Sequence, residues 1–263
     1  MSSLLGWLWD TTCGPILEAL GFLNAISDDD WPHVWWIPTR LLSQLPLHAA
    51  KHHAQGSAET VLDRVILSYT LSIKALMHGR RHHLRQPDSP SLDNALLVAM
   101  RETPDLGTNK ILPFVDAERD IFTSMCPSLG LKLITPTPRK EEVLKQLETS
   151  KIFHYAGHGR SDPMEPSRSC LLLEDWKTNP LTAGDLRDYR LQKNPPFLAY
   201  LSACSTGGNE SVGLIDEGIH LVSSFQLAGF RHVVGTVWEV SDKNCVDVAG
   251  LLYETIREEG RRT

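Results

Sequence analysis

From Ala95 onward the sequence alternates short apolar runs with amphipathic ones, and this alternation limits the fold more than any other feature. The run Ala95-Leu96-Leu97-Val98-Ala99-Met100 suits a strand buried on both faces, as in a parallel sheet. The spacing then predicts a helix over 113–125, opened by Pro113, with Val115, Ile121, Phe122 and Met125 inward. A strand is expected at 131–134. The next helix is expected to have Thr137 as its N-cap, Pro138 at its first position and Glu141 and Glu142 near its positive end. Its inner stripe would be Val143, Leu144 and Leu147. Further strands are expected at 152–155, 170–173, 197–201 and 232–237. Helices are expected over 182–188, along Ile215, Ile219, Val222 and Phe225 as far as Gly229, and after Ser241, where Val248, Ala249, Leu252 and Ile256 would face inward. Strands that alternate with helices specify an α/β fold with a mostly parallel sheet, because parallel neighbours need a crossover between them. Chemistry in such sheets gathers at the carboxyl ends of the strands.

Upstream the pattern is less regular. Residues 1–30 read as a short helical segment broken at Cys13-Gly14-Pro15. Val34-Trp35-Trp36-Ile37 reads as a short buried strand ended by Pro38. Residues 61–77 suit a helix (Val61, Leu62, Val65, Ile66, Tyr69) or a strand (Val65-Ile66-Leu67 with Tyr69), and periodicity does not separate the two. Residues 78–91 are basic, then rich in Pro and Ser, with no apolar period. The chain therefore divides into an N-terminal part at 1–77, a linker or exposed loop at 78–92 and a core at 93–263.

The formal net charge is −6, which gives no electrostatic ground for nucleic-acid binding. The five cysteines (Cys13, Cys126, Cys170, Cys204, Cys245) contain no C-x-x-C pair, so a cysteine zinc site is not expected. An odd, sparse set suits a reducing compartment. The first residues lack the basic region of a secretory signal, and no apolar run is long enough to span a bilayer. An intracellular, cytoplasmic or nuclear, protein without membrane contact is the expectation. Cys126, Cys170 and Cys245 read as core, and Asp162 and Glu165 as a solvated loop.

Two strand ends carry chemistry. In H-Y-A-G-H-G at 154–159 a strand is expected to end at Tyr155, with 156–159 forming a turn whose glycines leave His158 uncrowded. His154 and His158 are spaced as in a zinc helix, but Tyr155 stands where such a helix needs Glu and Gly157 opposes a helix, so no metal is expected. In L-S-A-C-S-T-G-G at 201–208 a strand runs into Cys204, and the following turn lets backbone N–H groups converge on an oxyanion. By itself Cys204 reads as a small core residue. Paired with a histidine 46 residues upstream, it reads as the nucleophile of a caspase-type peptidase, where the histidine lies about 50 residues before the cysteine.

These motifs occur with D-E-G-I-H-L at 216–221, F-Q-L-A-G-F-R-H-V-V-G-T-V-W at 225–238, Asp242, and W-W-I-P-T-R-L-L-S-Q-L-P-L-H-A-A at 35–50. Together they resemble the CHAT domain, a caspase- and separase-like cysteine peptidase domain, over residues 31–258. The resemblance implies a three-layer caspase-like (caspase-haemoglobinase) fold with an N-terminal α/β extension. It implies His158 as general base, Cys204 as nucleophile and an oxyanion hole of the Gly159 and Cys204 N–H groups. The activity implied is endopeptidase cleavage through a thioester acyl-enzyme, with no cofactor and a protein or peptide as substrate. No Asp or Asn stands out as a third, orienting residue. Asp216, Glu217, Trp238 and Asp242 are the candidate substrate contacts. Read locally, the acidic pair complements a helix dipole, while Trp238 and Asp242 serve packing and a helix start. In a pocket, the acidic pair would favour Arg or Lys before the scissile bond.

Similar domains often follow helical repeats, which this sequence lacks, so a regulatory helical-repeat protein would be another chain. They also continue into one more tryptophan-containing strand, so a C-terminally truncated core is expected. The alternative function is an inactive CHAT-type module that binds a peptide or partner.

Overall fold

The computed structural model describes residues 2–23, 31–39, 42–43, 45–52, 60–70, 72–73, 76–77, 93–107, 110–162, 164–189, 191, 195–205, 220–236 and 240–262. They form two compact units, one of residues up to Leu76 and one from Met77 on. The proposed linker at 78–92 lies outside the described residues.

In the first unit, helix α1 (Ser2–Leu8) passes through a π-helical turn (Trp9–Cys13) into α2 (Gly14–Ala19). The break expected at Cys13-Gly14-Pro15 is absent. Pro15 falls in the first turn of α2, where its missing N–H costs nothing, and the Gly14 N–H reaches the Trp9 carbonyl. A Cβ on Gly14 would stand 2.8 Å from that carbonyl oxygen, so the π-turn requires glycine. Strand β1 (His33–Trp36) pairs in parallel with β2 (Ile66–Tyr69), which settles the ambiguous segment as a strand. Of β1 only Trp36 is fully buried, and Ile37 is exposed, contrary to the buried strand expected. Trp36 joins Leu8, Trp9, Cys13, Leu17, Leu47, Val61 and Val65 in this unit's core.

The second unit follows the alternation in the sequence. Its strands are β3 (Asn94–Ala99), β4 (Lys132–Ile134), β5 (Ser150–Arg160), β6 (Cys170–Leu171), β7 (Leu181–Thr182), β8 (Leu198–Ser205) and β9 (His232–Gly235). Between and after them run α3 (Val115–Met125), α4 (Lys140–Leu147), α5 (Ala183–Tyr189), α6 (His220–Ala228) and α7 (Asp242–Arg262). The strands β4-β3-β5-β8-β9 are parallel, and β6 and β7 add an antiparallel extension at the carboxyl end of β5. One face of the sheet packs Phe153, Tyr155, Ala199 and Leu201 against α4, α5 and α6 through Leu144, Leu186 and Phe225. The other packs Leu97, Ile152, Leu198 and Tyr200 against α3 and α7 through Phe122 and Tyr253. This is an α/β domain with a mixed central sheet between two helical layers.

Three local expectations are corrected. Helix α4 begins at Lys140, after an extended Arg139, so Thr137 is not its N-cap. The Asp175 carboxylate instead accepts the Lys140 N–H at 3.3 Å, a long-range cap that has no local sequence signal. On α7, Val248 is exposed, and Cys245, Ala249 and Tyr253 form the buried stripe. Strand β5 does not stop at Tyr155. It runs through to Arg160, and Gly157 and Gly159 lie inside it.

The reason for Gly157 is therefore space rather than a turn. A Cβ there would stand 2.7 Å from the Tyr155 hydroxyl. That phenol cannot retreat, because it is fully buried and donates to the carbonyls of His158 (2.7 Å) and Leu172 (3.2 Å). Burial pushes its pKa far up, so it stays a neutral donor. Gly157→Ala is expected to cost about 1–3 kcal/mol by overpacking, read as a lower urea midpoint with an unchanged slope.

Candidate functional site

Strands β5 and β8 are neighbours and run parallel. Their register pairs His154 with Tyr200, Ala156 with Ser202 and His158 with Cys204, so the backbones of the two dyad candidates lie side by side. Gly159 is one step further on, opposite Ser205 on one edge and Leu171 on the other. The pairing of β3 with β5 ends at Ala99–Ala156, and that of β9 with β8 ends at Leu201–Gly235. His158 and Cys204 thus stand beyond their outer neighbours, at the carboxyl ends of the central strands. For Cys204 the backbone is described.

His158 is held at both ends. Its carbonyl accepts the Leu172 N–H at 2.9 Å as well as the Tyr155 hydroxyl. Its ring, 4% exposed, places Nε2 2.7 Å from the Lys110 carbonyl. A carbonyl only accepts, so Nε2 carries the proton and Nδ1 keeps a lone pair. The orienting group absent from the sequence reading is therefore a backbone oxygen, which no side-chain motif announces.

Behind these positions lies a polar group that the sequence reading missed. Glu118 of α3 is 1% exposed and His154 fully buried, and Glu118 Oε1 lies 3.0 Å from His154 Nε2. The Ser202 hydroxyl donates to Glu118 Oε2 at 2.9 Å. The Tyr253 hydroxyl lies 2.7 Å from His154 Nδ1, and the Tyr200 hydroxyl donates to the Cys245 carbonyl at 3.0 Å. Burial pushes both phenols well up, so they remain neutral. His154 is thus engaged within the protein. Among the described residues, no cluster of His, Cys, Asp or Glu could hold a metal ion.

Of the remaining candidate substrate contacts, Asp242 is among the described residues. Asp242 opens α7 and accepts the Phe114 N–H at the start of α3 at 3.1 Å. Asp216, Glu217 and Trp238 lie outside the described residues. Asp162 accepts the N–H groups of Met164 and Glu165, and the Glu165 N–H foremost holds its carboxyl below the usual range. Arg160 stacks on Trp176, 5.1 Å from the ring centre. Cys13, Cys126, Cys170 and Cys245 are buried and form no disulfide with one another.

The CHAT domain profile matches residues 2–263. The chain belongs to the CHAT domain family. The match takes in the N-terminal unit as well as the sheet that carries His158 and Cys204. The sheet between two helical layers agrees with the caspase-like fold of the CHAT family. No curated protein matches the chain. No helix among the described residues is long and apolar enough to cross a membrane.

Proposed function

We propose that this CHAT domain is a cysteine endopeptidase acting through Cys204 and His158. The observation that carries the reading is the register pairing of these residues toward the carboxyl ends of two adjacent parallel strands. The Lys110 carbonyl adds support, since it leaves His158 Nδ1 as the basic nitrogen. In this reading Nδ1 takes the Cys204 thiol proton, and the thiolate adds to the peptide carbonyl. The Gly159 and Cys204 N–H groups receive the oxyanion. The C–N bond breaks as the imidazolium returns its proton to the leaving amine, and a thioester remains. His158 then deprotonates a water, which hydrolyses the thioester and frees the thiol. The Lys110 carbonyl stabilises the imidazolium by accepting its Nε2 proton throughout.

The substrate is a protein or peptide. In this reading Asp216 or Glu217 faces the pocket for the residue before the cut and selects Arg or Lys, with Trp238 or Asp242 as one wall. The 1–77, 78–92 and 93–263 segments act as an N-terminal part, a linker and the catalytic core. A helical-repeat partner regulates it, in a reducing intracellular compartment.

The test is incubation of the full chain with a peptide library derived from a proteome, with new amino termini read by mass spectrometry. New termini that share Arg or Lys before the cut are expected. Termini with another shared residue would remove the acidic pocket but keep the peptidase. No new termini would leave the domain as a peptide-binding module.

A further inference from the structure

We propose that Glu118 is a positioning residue for the dyad, its buried carboxylate tying the strand of His158 to the strand of Cys204. The catalytic consequence rests on the dyad reading above, whereas the tie itself is geometric. A carboxylate 1% exposed must be satisfied from within the protein. Glu118 finds its partners on two different strands. Oε2 accepts the hydroxyl of Ser202 on β8, and Oε1 lies 3.0 Å from Nε2 of His154 on β5. The second contact is off the line of a hydrogen bond and is a close polar contact. His154 is fixed on its remaining sides. The Tyr253 hydroxyl meets Nδ1, and the ring is stacked between Phe122 and Tyr200 at 4.7 and 4.9 Å.

The position of this tie is what gives it a function. Ser202 is two residues before Cys204 and His154 four before His158. A strand rises about 3.3 Å per residue, so the Ser202 contact lies about 7 Å below Cys204 along β8. At that level the outer ladders are running out, since β9 has already left β8 and β3 leaves β5 at Ala156. Beyond it, β8 has β5 on one edge, and the Thr236 hydroxyl donates to the Ala203 carbonyl at 2.8 Å. Glu118 adds a tie from the helical layer to a β5–β8 ladder that itself runs on to Gly159 and Ser205, with β6 beside the end of β5. A buried polar contact of this kind is a poor way to gain stability alone, since apolar residues of the same volume often do as well. One placed across both strands, just below the dyad positions, is better accounted for by alignment.

The test uses the full chain with Ser202→Ala, Glu118→Ala and Glu118→Gln. Two quantities are read: hydrogen–deuterium exchange of the segments 150–160 and 198–205, and the pH profile of Cys204 alkylation by iodoacetamide. Ser202→Ala and Glu118→Ala are expected to speed exchange at the ends of both strands about tenfold or more, as local opening becomes easier. They should also move the alkylation profile toward that of an ordinary thiol. Glu118→Gln is expected to stay within about twofold of the parent, because its amide can accept from Ser202 and donate to a neutral His154. Ser202→Ala, which leaves the Glu118 side chain in the core and removes only its tie to β8, separates alignment from mere core filling. Unchanged exchange and an unchanged profile in Ser202→Ala would overturn the tie, and this variant decides the matter if Glu118→Ala does not fold. If parental Cys204 already alkylates as an ordinary thiol, the dyad reading fails. The exchange data then decide the tie alone.

Discussion

Peptide cleavage is expected to fall by a factor on the order of 10⁴ or more in Cys204→Ala, by a comparable factor in His158→Ala, and by no more than that in the double variant. A nucleophile and its base act as one unit, so removing the second costs little once the first has gone. In the proposed mechanism, Cys204→Ala removes the atom that forms the thioester, and His158→Ala removes the acceptor of the thiol proton and the donor to the leaving amine. The fold should survive the second change, since the contacts that hold β5 at this point use the His158 carbonyl rather than its ring. The ring contributes one contact to the backbone, at Lys110. Steady-state cleavage of a peptide chosen from the library experiment measures the loss, with circular dichroism confirming the fold. Cleavage that survives Cys204→Ala would remove the mechanism. Losses that multiply in the double variant would mean that the two residues do not work together.

How far the sequence reading reached depended on what each residue needed. Strand β3 and the helices α3 and α4 were legible because Leu96, Leu97 and Val98, and the stripes of Val115 with Phe122 and of Val143 with Leu147, need only burial on a regular period. That His158 and Cys204 stand toward the carboxyl ends of strands followed from the rule that parallel sheets gather chemistry there. The end of β5 was not legible. Gly157 and Gly159 carry the local signal of a turn, but β8 and β6 supply ladder partners up to Arg160, and partners in space outweigh local propensity. Lys110 acts through a carbonyl, which every residue possesses. Glu118 did leave a signal. It falls with Val115, Phe122 and Met125 on the inner stripe of α3, and a charge on an inner stripe calls for a buried partner.

In the folded protein at neutral pH, iodoacetamide is expected to label Cys204 at least about 100-fold faster than any other cysteine. The thiolate is the reacting species, and an ordinary thiol with pKa about 8.5 is only a few per cent ionised at pH 7. Burial raises the Cys13 thiol to about 12 and the Cys126 thiol to about 11. Burial foremost also raises Cys170, against the lowering influence of nearby Arg160. At pKa 12 the thiolate fraction at pH 7 is about 10⁻⁵, before any loss of access to the reagent is counted. Cys245 is buried as well. In the proposed dyad an imidazolium at His158 would act on Cys204 in the opposite direction, favouring its thiolate. His158→Ala should therefore slow Cys204 labelling about tenfold at pH 7 and shift its profile upward by about one pH unit. In denaturant all five cysteines should react at similar rates, which calibrates the comparison. Mass spectrometry of tryptic peptides after timed quenching gives each rate. Labelling of Cys204 at the rate of an ordinary thiol, unmoved by His158→Ala, would leave a CHAT domain that binds at this cleft without cutting.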